Sequence, residues 1–163
     1  MADVKPPGKD VAPASRRRGR RLPGPVTEGE GRSRVKVRLH RQGRDLVAVV
    51  TGGEAHVGAV AVYAPRTPGT GGDDRRRETR HGLPALAEAF AAVNIVPGHR
   101  EGPLAEKTAR QLGQAVGSTC VAVVGIHQDE ASPDEIAAIV ANVRLAVQRL
   151  VIQLESQHGD EKG

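Results

Sequence analysis

Three apolar runs, Asp45 to Thr51, Ala92 to Val96 and Val121 to Ile126, each break off beside a glycine or proline, and a histidine stands at each break: His56, His99 and His127. Short apolar runs bounded by turn-forming residues read as strands. Loops carry chemistry when a rigid scaffold positions them, so a fold that brings these three strand ends to one edge has a site there.

The remaining periodicity predicts how the scaffold is completed. Val35, Val37 and Leu39 alternate with Arg34, Lys36, Arg38 and His40, the pattern of a strand with one wet face. A turn around Gly43 leads into Asp45 to Thr51, and Gly52-Gly53 leads into Val57 to Tyr63. Both runs are apolar on both faces, which predicts central strands. Ala92 to Val96 is a weaker fourth strand, and Leu83 to Ala91 suits helix or strand equally. Pro103 in a first-turn position, followed by Leu104, Thr108, Leu112, Ala115 and Val116, predicts a helix that stops at Gly117. After a strand over Thr119 to Ile126, Ser132, Pro133 and Glu135 form a capping box. Ile136, Ile139, Val140, Val143, Val147, Leu150, Val151 and Leu154 then give one apolar face of a long final helix. Leu145 and Ile152 lie about half a turn from that face, with Ala138 and Ala141 beside them; this back seam points to a partner chain, most simply a homodimer.

At 163 residues the chain has the size of one domain with tails. No run is long enough to span a bilayer, and no short apolar core follows the basic N-terminus, so the expected location is cytoplasmic with no membrane partner. Residues 1–33 hold eight Lys and Arg against four acids, +4 of the chain's net +5. Little in that segment can be buried, which predicts a disordered basic tail. Its RRRGRR run (Arg16 to Arg21) could touch nucleic acid or acidic lipid. Pro65 to Pro84 is a second low-complexity stretch, expected as a mobile insertion, and residues 155–163 form a charged C-terminal tail. One α+β domain over 34–154 remains. Cys120, the single cysteine, reads as a small buried hydrophobe. There is no nucleophile elbow and no paired CxxC, and Ser132 serves better as a helix cap than as a nucleophile. Tyr63 and Phe90 are the only aromatic rings of their kind, too few for a base-stacking platform.

The segment from the fourth strand through the first helix to the fifth is a βαβ unit, whose strands run parallel and end at the same edge. PGHRE (Pro97 to Glu101) and GIHQDE (Gly125 to Glu130) therefore become neighbours, each leading into a helix N-terminus, and His56 joins them if the second strand ends there too. Three readings stand at this point. Gly98, His99 and Arg100, with Lys107 further along, suit a phosphate or carboxylate. The three histidines with Asp129 suit a divalent metal. The same residues also serve as ordinary turn and cap residues.

HVGAVAV (His56 to Val62), VPGH (Val96 to His99) and AVVGIHQDEASPDEIAAIVANV (Ala122 to Val143), in this order, resemble the LpdD-like prenylated-flavin chaperones, the small D subunits associated with UbiD-like aromatic-acid decarboxylases. The resemblance covers about residues 34 to 150. It implies a proteasome-assembling-chaperone-like α+β fold, a mainly antiparallel sheet with two helices on one face. It implies a non-catalytic protein that loads or matures prenylated flavin mononucleotide (prFMN) for a UbiD-like decarboxylase, holding the cofactor transiently. By position it marks His56, Gly58, Pro97, Gly98, His99, Gly125, His127 and Asp129 as matching loop residues; Arg100 joins them from the anion reading. The arginine tail, the Pro65 to Pro84 insertion and the Ala-rich Leu83 to Ala92 depart from the family. A nucleic-acid-associated protein acting through the tail, or a small metal-dependent enzyme, are the competing functions.

Overall fold

The computed structural model describes residues 21–65 and 90–159. In chain order the elements are β1 (Val26–Glu28), a 3-10 turn at Gly31–Ser33, β2 (Val35–Gln42), β3 (Asp45–Gly53), β4 (Ala59–Ala64), β5 (Phe90–Ile95), α1 (Gly102–Val116), β6 (Cys120–His127) and α2 (Pro133–Gly159). The strands form one sheet in the order β1-β2-β3-β6-β4-β5. Every pairing is antiparallel except that of β3 with β6.

Strand alternation sends one set of side chains toward the helices. Val35, Val37, Leu46, Ala48, Val50, Ala59, Ala61, Tyr63, Cys120, Ala122 and Val124 are buried there against Ala105, Ala109 and Leu112 of α1 and Val143, Ala146, Val147, Leu150 and Leu154 of α2. Both helices thus cover the same face, as the α+β reading expects. α1 ends at Gly117, whose left-handed φ of 63° lets its N–H and that of Ser118 return to carbonyls of the last turn. α2 starts with the expected capping box: Ser132 Oγ accepts from Glu135 N at 3.2 Å, and Glu135 accepts from Ser132 N at 2.8 Å.

The central placement of β3 and β4 agrees with their sequences, but the helices cover only one face of each. Val47, Val49, Val60, Val62, Val121 and Val123 lie half-buried on the other face.

The tail boundary at residue 33 needs correction. Val26–Glu28 pairs with β2, Val26 packs on the core, and Arg149 Nη1 lies 2.7 Å from the Glu28 carboxylate. Asn142 Nδ2 donates to Ser33 O at 2.9 Å. These partners come from the far end of the chain, so composition near residue 30 does not reveal them. The C-terminal boundary also moves, because α2 continues to Gly159. Ile136, expected on the core face, is 52 % exposed; it lies in the first turn of α2, one turn ahead of the first buried position, Ile139. The expected strand over Val57 to Tyr63 runs instead from Ala59 to Ala64, and Phe90 and Ala91 belong to β5. Residues 1–20, with most of the arginine run, and all of the Pro65 to Pro84 stretch except Pro65 lie outside the described residues.

Candidate functional site

β3 runs parallel to β6, and β5, antiparallel to β4, is parallel to β6 with β4 between them. All three strands therefore end at one edge of the sheet, and their loops bring the three histidines together. The His56 and His99 rings lie 4.6 Å apart between centroids, tilted by 50°, and His56 meets His127 edge-on at 5.7 Å. The βαβ reasoning predicts this edge, and β3 supplies the third histidine as expected.

Glycines and backbone bonds permit the approach. A β-carbon at Gly125 would overlap the His56 carbonyl, and one at Gly58 would stand 2.7 Å from the Glu101 carboxylate. Gly53 has a left-handed φ of 56°, and a β-carbon there would overlap the His127 carbonyl. Gly58 N donates to Val124 O at 2.9 Å, Val96 N to Gly58 O at 2.8 Å, and Glu54 N to His127 O at 3.0 Å. The three loops are thus laced together through the main chain. Gly98, by contrast, has a φ of 87° and open space around it; it turns the chain so that His99 N returns to Val96 O. Pro97, Gly98 and Arg100 are exposed on the rim.

Hydrogen bonding selects the tautomers. His56 Nδ1 lies 3.1 Å from Glu54 O, and His99 Nδ1 3.2 Å from Pro97 O. A carbonyl only accepts, so each Nδ1 carries the proton and each Nε2 keeps a lone pair. His127 is reversed: its Nε2 donates to Asp129 Oδ1 at 2.9 Å, leaving Nδ1 as the acceptor. His56 Nε2 is closed off from solvent without a hydrogen-bond partner. Its nearest charge is Glu101 Oε1 at 3.9 Å, beyond hydrogen-bond reach.

Sequence reasoning missed two residues. Glu101 reads as the last residue before a helix, yet its side chain is only 15 % exposed and sits behind His56, with Oε2 accepting from Arg100 N at 2.9 Å. Arg32 reads as part of the basic tail, yet its Nε meets Glu135 at 2.7 Å, its Nη2 donates to the Asp129 carbonyl, and its own carbonyl accepts from Gln128 Nε2 at 2.7 Å. This tie fixes the loop that carries His127, including Glu130 at a left-handed φ of 51°. The hydrogen bond from Ser132 N, and then the Arg32 contact, hold the Glu135 carboxyl below the usual carboxylate range. Neither contact leaves a local sequence signal, because both partners are remote.

Apolar side chains stand beside the imidazoles. Val57, Ile95 and Val96 flank His56 and the VPGH turn and are 51 %, 50 % and 39 % exposed. Imidazole acceptors next to exposed aliphatic groups suit a ligand that is part polar and part apolar. The residues present fit prFMN in that respect. Its ring and prenyl-derived carbons are apolar, and its ring heteroatoms and phosphate seek polar partners. A groove between α1 and α2, lined by Gln111, Gln114, Ala115, Gln148, Val151 and Glu155, lies toward the other end of both helices. Among the described residues no group of three or more His, Cys, Asp or Glu has the geometry to hold a metal ion, so the divalent-ion reading of His56, His99, His127 and Asp129 gains no support. Cys120 faces the core, and burial pushes its thiol up to about 12.

Fold and edge together define an α+β domain with two helices on one face of a six-stranded sheet and a laced, histidine-lined edge where parallel strands end. Within that class, the family model of the prenylated flavin chaperone LpdD-like domain matches residues 29–155, and the chain belongs to this family. The match begins just after β1, two residues ahead of the 3-10 turn. No curated protein matches the chain.

Proposed function

We propose that this protein is a non-catalytic chaperone that receives prFMN at the histidine edge and passes it to a UbiD-like decarboxylase in the cytoplasm. The family supports the cofactor class, and the observation that carries the reading is the convergence of His56, His99 and His127 within 4.6 and 5.7 Å, beside exposed Val57 and Val96. In this reading the flavin's apolar portion lies along Val57, Ile95 and Val96. His99 and Arg100, ahead of α1, contact the phosphate, and His127, oriented by Asp129, completes the site. Gly58, Pro97, Gly98 and Gly125 shape it. When bound, the prenylated flavin supplies the electron-accepting ring that the client uses; the chaperone's residues bind and orient it. Two copies of the chain pair through the exposed back of α2, where Leu145 and Ile152 lie.

The test is co-production of a UbiD-like decarboxylase with this chain or with its His99→Ala, Arg100→Ala or His127→Ala variants, reading bound prFMN by absorbance. The wild-type chain should raise the loaded fraction. Each variant should weaken prFMN binding in calorimetry by about 1.5–3 kcal/mol, the worth of a hydrogen bond to a charged group. A loaded fraction that does not respond to the chain refutes the chaperone role.

A further inference from the structure

Beside the cations that suit a phosphate, the histidine edge holds one shielded carboxylate that opposes it, Glu101 behind His56. The β3–β4 loop contributes Glu54, the β5–α1 loop Arg100 and Glu101, the β6–α2 loop Asp129 and Glu130, and the 3-10 turn Arg32. Arg32 is engaged by Glu135 and the Asp129 carbonyl, and Glu101 and Asp129 back His56 and His127 at 3.9 and 2.9 Å. With neutral imidazoles, an incoming dianion meets the Glu101 carboxylate, only 15 % exposed and therefore weakly screened, whereas Asp129 is 86 % exposed and screened by water. Imidazole is the side chain able to offset that carboxylate's charge near neutrality. His56 is poised for it: its Nδ1–H is already given to Glu54 O, and its Nε2 lone pair is unpartnered and faces the Glu101 carboxylate.

We infer that the edge takes up its phosphate-bearing ligand together with a proton, held between His56 and Glu101. The inference rests on reading the edge as the flavin-nucleotide site. A proton from solvent adds to His56 Nε2, and the new N–H turns to Glu101 Oε1, closing the 3.9 Å gap to a charge-assisted hydrogen bond. The cluster gains one positive charge, which offsets Glu101 and admits the anion. No bond other than that N–H forms, and nothing is oxidised or reduced. Because the liganded state binds more protons than the free one, affinity must rise as pH falls, by up to about tenfold per pH unit for one proton. The site then captures its ligand on the acid side of neutrality and releases it as pH rises. Glu101 is accordingly a positioning residue acting through His56.

The experiment is calorimetric titration of the full chain with prFMN, and separately with sulfate, a dianion with no proton of its own to titrate in this range. Each is run at about pH 6.5 and about pH 8, in buffers of different ionisation enthalpy so that the slope counts protons. The expected result is uptake of about one proton with either ligand, with weaker binding at the higher pH. Glu101→Gln should remove the uptake and flatten the pH dependence, and Glu101→Asp should retain part of both. If Glu101→Gln fails to fold, the wild-type proton count and the sulfate arm still decide. Binding of prFMN that is equal at both pH values with no proton exchanged overturns the inference and leaves the flavin-site reading standing. Uptake with prFMN but not with sulfate assigns the proton to the ligand and also overturns it. A folded chain that binds neither ligand overturns the inference and the flavin-site reading together.

Discussion

Replacing Gly125 with alanine should damage the scaffold and the candidate site at once. Gly125 lies in β6 opposite Thr51 of β3 and directly against the main chain of His56. A β-carbon there overlaps the His56 carbonyl and stands 3.2 Å from Val57 N. These are backbone atoms that no rotamer change can move. Restoring an ordinary carbon–oxygen separation of about 3.5 Å requires the β3–β4 loop to lift from the sheet. The bonds from Gly58 N to Val124 O at 2.9 Å and from Val96 N to Gly58 O at 2.8 Å cross that seam. Overpacking costs about 1–3 kcal/mol, and each weakened backbone bond roughly 0.5–1.5 kcal/mol. Together they give a loss of about 2–6 kcal/mol, or a melting point lower by roughly 8–24 °C at about 4 °C per kcal/mol for a domain of this size. Gly98→Ala is the control: its φ of 87° makes alanine strained, but nothing crowds it, so only about 1–2 kcal/mol is lost. Urea melts followed by circular dichroism give the two values, and nuclear Overhauser contacts between the His56 and His127 rings report whether the loop has lifted. A Gly125→Ala protein within about 0.5 kcal/mol of wild type, with those ring contacts intact, would refute the close-packing account of the edge.

Three further outcomes follow from other parts of the molecule. Leu145 and Ile152 are 42 % and 58 % exposed on the side of α2 away from the core, so replacing both with glutamate should convert a dimer to a folded monomer in light scattering; a monomeric wild type would end the pairing proposal. Burial pushes the Cys120 thiol up to about 12, and only a thiolate reacts, so a thiol reagent at neutral pH should modify the native chain no faster than it unfolds. Fast stoichiometric labelling would contradict that burial. Glu135 is held below the ordinary carboxylate range by Ser132 N and Arg32. Its stabilising effect is therefore complete above the ordinary value and lost as pH falls through the depressed one. Thermal melts on acidification should show α2 and the His127 loop loosening in that window, and a Glu135→Gln chain with an unchanged acid profile would rule out this origin.

Much of the fold was legible locally. Alternation in Val35, Val37 and Leu39, the proline-led helix closing at Gly117, and the Ser132–Glu135 box each lie within a few residues, and short-range sterics and hydrogen bonds decide them. The parallel direction of strands joined by a βαβ crossover then carried the histidines of two loops to one edge without any knowledge of contacts. The identities of His56, His99 and His127, and their position at strand ends, are thus properties of the sequence. Tertiary structure alone decided the rest, because the deciding partners lie far apart in the chain. β1 exists because Val26, Glu28 and Ser33 meet β2, Arg149 and Asn142. Arg32 orders the His127 loop across a separation of 97 residues, and β4 inserts between β5 and β6. Only that assembled packing turned Glu101 from a residue ahead of a helix into a nearly buried carboxylate facing an unpartnered imidazole nitrogen. Local periodicity encodes which atoms face the core, whereas the environment of a charged group is the sum of every element packed around it.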